Sequence, residues 1–120
     1  MEQIEYGIET FGRLKSVLLH RPDESLFKIT EDNREFFLFD EVPDVDKYLE
    51  EHRQYSRLLE QHGVIVHQLS DHVHRNTDLL KRLPNLAYLH DTAVVSSYGA
   101  IVSKMSSRGR CHEEIVVREA

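Results

Sequence analysis

The chain has 120 residues, 40% apolar and 30% charged, and a net charge of -6 with its eight histidines neutral. That size suits one domain, or a piece of a larger one, with enough residues to bury a core. The acidic balance excludes a nonspecific nucleic-acid binder, which needs a basic face, and no apolar run reaches the ~18 residues of a membrane span.

The N-terminal stretch MEQIEYGIETFGRLK is acidic and has no apolar h-region, so no signal peptide is expected. Phe11-Gly12-Arg13 leads into a short apolar run, Val17-Leu18-Leu19, which Arg21-Pro22-Asp23 stops. Its length and the proline favour a buried strand over a helix. Glu24 to Phe39 shows no steady period and reads as a long loop with a short helical turn and a turn at Asp32-Asn33. Loops of that length tend to be functional, and Phe36-Phe37-Leu38-Phe39 is apolar enough to dock on something.

Pro43-Asp44 opens the clearest helix, with Asp44 and Asp46 at the positive end of its dipole. Val45, Leu49, His52, Ser56 and Leu59 form a stripe at helical spacing, and Gly63 suits the residue past the C-terminus. Val64 to Leu69 then reads as a strand, which makes the order strand, loop, helix, strand and the class α/β. Asp71 to Leu83 is expected to form a short helix. Residues 86–95 and 100–105 are expected to pair as a β-hairpin across Ser96-Ser97-Tyr98-Gly99. Ser106 to Arg110 is a polar loop, and His112 to Ala120 looks like the first turns of a helix, with early acids at its start. The apolar stripe of that helix meets no breaker and no glycine, which leads us to expect a truncated sequence.

Asp91 stands out within the hairpin. From Leu86 to Val95 its neighbours are apolar, small or aromatic, apart from His90 and Thr92. On simple alternation Leu89, Asp91 and Ala93 share one face. A carboxylate there is either bonded to a turn or a nearby arginine, or it binds a ligand. Other constellations carry less. Asp71-His72-Val73-His74 lacks the spacing of a zinc site, so no metal is expected. His52 and His62 suit packing or surface positions. Cys111 lies beside Arg108 and Arg110, whose charges can lower a thiol pKa, but a lone loop cysteine is more often inert. One cysteine forms no internal disulfide, and a reducing cytoplasm is the simple expectation.

Three separated blocks, GRLKSVLLHRP, FLFDEVPDVDKYLEEHRQYSRLLEQHGVIVHQL and PNLAYLHDTAVV with the following GAIVSKM and RGR, resemble the N-terminal part of arginine deiminases. More broadly they resemble the guanidino-group-modifying (pentein) superfamily. The likeness runs from Phe11 to the last residue. It implies a partial α/β-propeller of ββαβ modules about a pseudo-fivefold axis, with residues 11–70 as a first module and 71–120 as a truncated second. It implies hydrolysis of L-arginine to L-citrulline and ammonia with no cofactor.

By this resemblance Asp91 grips the substrate guanidinium, through paired charge-assisted hydrogen bonds that fix the plane of the group. Asn85 and Arg110 meet the amino-acid end, with Arg108 an alternative to Arg110, and Phe39 lies near the site mouth. His90 and Thr92 depart from the Arg and Pro that many members carry around the aspartate. That leaves open an amidinotransferase, an agmatine deiminase or a dimethylarginine hydrolase. The family's nucleophilic cysteine and catalytic histidine have no counterpart here, and Cys111 is not in the nucleophile's place. The expected partners are therefore an arginine-like substrate and the remainder of the catalytic domain, with self-association or a noncatalytic binding or split-subunit role also open.

Overall fold

The computed structural model describes residues 12–120; the acidic N-terminal stretch through Phe11, and the expectation attached to it, lie outside the described residues. The apolar run forms β1 (Ser16–Leu19), a strand as expected but not a buried one: none of its residues is fully enclosed and Leu18 is exposed; it ends before Pro22, which has no N–H to continue a ladder. β1 pairs in parallel with β2 (Ile65–Gln68), Ser16 opposite Ile65 and Leu19 opposite Gln68. Parallel neighbours need a long crossover. Here it contains α1 (Val45–Gln61). Asp44 caps that helix by accepting from the Lys47 N–H at 3.1 Å, one of the donors a helix start leaves unpaired. Gly63, at φ 78°, takes the left-handed turn after it. The stripe of α1 is only half-buried: none of its 17 residues is fully enclosed.

The crossover also holds the long segment expected as a loop. Its start is a 3-10 turn, Glu24–Lys28, capped by the Asp23 carboxylate on the Ser25 N–H at 2.9 Å. Leu26 and Ile29 from this region are buried. Successive turns follow over residues 31–38, and the Asn33 side chain ties them by accepting from the Thr30 N–H and donating to the Lys28 carbonyl, both at 2.8 Å.

Two sequence expectations are corrected in the second half. Asp71 to Leu83 is not one helix but a 3-10 turn, Leu69–His72, followed by the four-residue α2 (Thr77–Leu80). The N–H groups of His74, Arg75 and Asn76 are taken instead by the Glu119 carboxylate, at 2.6, 2.6 and 3.2 Å. The hairpin is also shorter than expected. It consists of β3 (Ala93–Ser96) and β4 (Gly99–Val102), antiparallel, with Ala93 opposite Val102. Leu86–Asp91 is a kinked 3-10 segment, so Asp91 stands before the strand rather than within it. Leu86 and Leu89, three apart, meet the core from one side of such a turn, as its period of about three demands. Thr92 closes the segment, its N–H and hydroxyl both bonding the Leu89 carbonyl at 2.9 and 2.6 Å.

α3 (Glu113–Glu119) forms as expected. It delivers Val116 to a core of Leu69, Val73, Leu80, Leu83 and Leu86, with Leu79, Leu89 and Val117 packed around it. Among the described residues the architecture is α/β with two separate two-stranded sheets, and no helix is long and apolar enough to cross a membrane.

Candidate functional site

Asp91 ends its 3-10 segment with its side chain 39% exposed. Its Oδ2 accepts from Arg110 Nη1 at 2.7 Å, and its Oδ1 lies 3.0 Å from Nε2 of the well-exposed His90. The Arg110 guanidinium, in hydrogen bond to the carboxylate, holds Asp91 below its ordinary pKa, and the charges of His90 and Arg110 add to this.

Arg110 closes a short 3-10 turn, Arg108–Arg110, and is buried. A buried guanidinium needs a partner on every edge. Glu113, three residues on and wholly enclosed, supplies one: Nε lies 3.0 Å from each carboxylate oxygen and Nη2 lies 2.9 Å from Oε2. Nη2 also donates to the Tyr88 carbonyl at 3.3 Å. Burial alone would lower the Arg110 pKa; the hydrogen bonds to Glu113 and Asp91 outweigh it and raise it. Burial pushes the Glu113 carboxyl up, with Arg110 pulling the other way.

The loop meets this cluster through its backbone rather than through its apolar side chains, of which Phe36 and Leu38 stay exposed. Gly109 lies so close to it that a Cβ there would stand 2.1 Å from the Phe36 carbonyl oxygen. Asn85, also buried, donates from Nδ2 to the Phe37 carbonyl at 2.8 Å. Phe39 is half-buried, and its backbone bonds run to Arg34, so Phe36 and Phe37 make the junction rather than Phe39. On the other side Tyr88 reaches α1. Burial, then a hydrogen bond with Tyr88, pushes the Tyr48 hydroxyl up. Leu19, Tyr48, His52, Tyr55 and Tyr88 help line a hollow of about 250 Å³ between them.

Of the residues singled out in sequence, Asp91 and Arg110 thus meet directly. Asn85 joins them through the docked loop, and Phe39 stays one step removed. Arg108 is exposed and makes no ion pair among the described residues. Glu113 was missed as a site residue. Its signal was the i, i+3 spacing from Arg110, visible in the sequence but given no site role there. The close approach at Gly109 left no sequence signal beyond the glycine itself.

The Asp91–Arg110 contact is a charge-assisted pairing of a carboxylate with a planar guanidinium, and the outer side of that carboxylate stays exposed. No family model matches the chain. The chain is 48% identical over 69 residues to a protein named arginine deiminase from Rhodococcus erythropolis, a match covering 57% of this chain and 17% of that relative. Arginine deiminases of Rhodococcus opacus and Rhodococcus jostii are each 47% identical over 60 residues, half of this chain and 15% of theirs. Over about half of its length the chain is similar to these arginine deiminases, and the matched stretch spans only 15–17% of theirs.

Proposed function

We propose that this chain is the substrate-holding part of an arginine deiminase-like hydrolase that converts L-arginine to L-citrulline and ammonia. One observation carries the reading: in a relative of the arginine deiminases, Asp91 already holds a guanidinium, that of Arg110, while more than a third of its side chain stays open to an incoming one. A substrate guanidinium takes the exposed side of the carboxylate and displaces His90 from Oδ1. Arg110 keeps a second Nη1 hydrogen beyond the one given to Asp91, and that hydrogen meets the substrate α-carboxylate. Asn85 has its carbonyl oxygen left for the α-ammonium. The remainder of the catalytic domain, further modules of a propeller that begins with residues 11–70 and 71–120, supplies the thiolate that attacks the guanidinium carbon. Ammonia leaves, and water releases citrulline from the thiol. The 120-residue chain alone binds substrate without turning it over.

Calorimetric or NMR titration of the chain tests this. L-Arginine is expected to bind more tightly than agmatine, which lacks the carboxylate, and citrulline, whose side chain is uncharged, to bind weakest. Asp91→Asn should weaken L-arginine by ~10–100-fold, the worth of a charged hydrogen bond of about 1.5–3 kcal/mol. An unchanged affinity would remove Asp91 from the site. Agmatine binding as tightly as arginine would transfer the reading to an agmatine-type relative.

A further inference from the structure

We infer that Glu113 is a positioning residue: it grips the inner edge of the Arg110 guanidinium so that the outer Nη1 fixes the Asp91 carboxylate for a cationic ligand. The inference rests on the reading of Asp91 as a guanidinium holder and adds what makes that holder rigid. Asp91 has little else to hold it. Its side chain is 39% exposed, and its other neighbour, His90, is 78% exposed. Glu113, by contrast, is fully enclosed, and both its oxygens face Arg110.

The geometry is that of a strut. A guanidinium is planar, so fixing its Nε/Nη2 edge fixes where Nη1 points. Glu113 holds that edge, the Tyr88 carbonyl limits rotation about it, and Nη1 lands 2.7 Å from Asp91 Oδ2. Glu113 also sets the charge of the array. Two carboxylates around one guanidinium leave one negative charge over, which an incoming cation neutralises. Without Glu113 the Asp91–Arg110 pair would be neutral and would attract a cation less.

A direct and a relayed role make opposite predictions. If Glu113 acted on Asp91 only as a neighbouring negative charge, removing it would lower the Asp91 pKa. If it acts through Arg110, removing it loosens the guanidinium and the Asp91 pKa rises. The experiment follows the Asp91 carboxyl carbon by NMR through a pH titration of the full 120-residue chain, for wild type, Glu113→Gln and Arg110→Lys. Lysine keeps the charge but cannot bridge two carboxylates with fixed edges. Methylguanidinium is titrated into each as the probe, with a dispersed amide spectrum as the check on folding.

Both variants are expected to raise the Asp91 midpoint and to weaken methylguanidinium by about tenfold, one charged hydrogen bond lost. Arg110→Lys carries the test if Glu113→Gln does not fold. A midpoint that stays put or falls overturns the inference. If the midpoint rises but methylguanidinium does not bind even the wild type, the strut stands and the substrate reading of Asp91 fails. If it binds all three equally while the midpoint is unmoved, the substrate reading stands and the strut fails.

Discussion

The first half of the chain carries the long regular elements, and the second half carries the main buried cluster. Between Ser16 and Gln68 lie a parallel strand pair and a 17-residue helix, yet no residue of that helix is fully buried. Leu18, Ile65, Tyr55 and Leu58 remain exposed there. From Leu69 to Glu119 the elements are short 3-10 turns, a four-residue helix, a small hairpin and the seven-residue α3, and all six residues of the buried cluster lie in this stretch. Regularity and burial are separate quantities here. A helix can form from its cap and periodicity while most of its stability depends on what it packs against. A kinked turn persists because its leucines have nowhere better to go. The candidate site lies where the buried, irregular half meets the docked loop of the regular half, so its geometry draws on both.

Core truncation should break this comparison most sharply. Leu86→Ala, at a residue with no exposure, is expected to cost about 2–5 kcal/mol. Leu58→Ala on the exposed side of α1 should stay within about 0.5 kcal/mol of wild type. Urea unfolding of both variants measures the contrast, and similar losses would erase it.

The junction between the halves comes next. Gly109→Ala gains about 0.4–1 kcal/mol from a stiffer unfolded chain but meets the Phe36 carbonyl, and such overpacking costs about 1–3 kcal/mol. The clash should win, lowering stability and speeding exchange at the amides of residues 31–38. A more stable variant with the loop unmoved would show that the close approach is relaxed at no cost.

The smallest effect expected is on pH dependence within the second half. The N–H groups of Arg75, His74 and Asn76, with the Asn76 side chain, push the Glu119 carboxyl down to about 2. A depressed carboxylate contributes its stability above its unfolded value of about 4.3 and loses it as pH falls toward the folded value. Wild type should therefore lose stability between about pH 4 and pH 2 relative to Glu119→Gln. Parallel acid-unfolding curves for the two would place no such contribution at Glu119.

Legibility in the sequence divides along the same line. α1, β1 and β2 were readable because a proline, an N-cap acid and a terminal glycine bracket clean patterns. The Asp71–Leu83 helix and the early start of the hairpin were misread. In the first, the decisive partner, Glu119, is more than forty residues away. In the second, Leu86 and Leu89 fit a strand run and a 3-10 turn almost equally well. At the site, the likeness to the arginine deiminases pointed to Asp91 and Arg110, but no spacing rule says that two residues nineteen apart will share a hydrogen bond. Glu113 looked like an ordinary helix-start acid because its burial depends on where Arg110 goes.

The two sheets also differ in how far the chain must travel to close them. β3 and β4 meet across a tight turn, a closure of the microsecond class. The Ser16–Ile65 pairing spans 49 positions, and non-local closures of that kind are slow because the entropy of closing the loop must be lost first. The Asn85–Phe37 hydrogen bond ties a point inside that span to the second half. The cluster around Arg110 therefore holds residues 31–38 by contacts that do not depend on the parallel ladder.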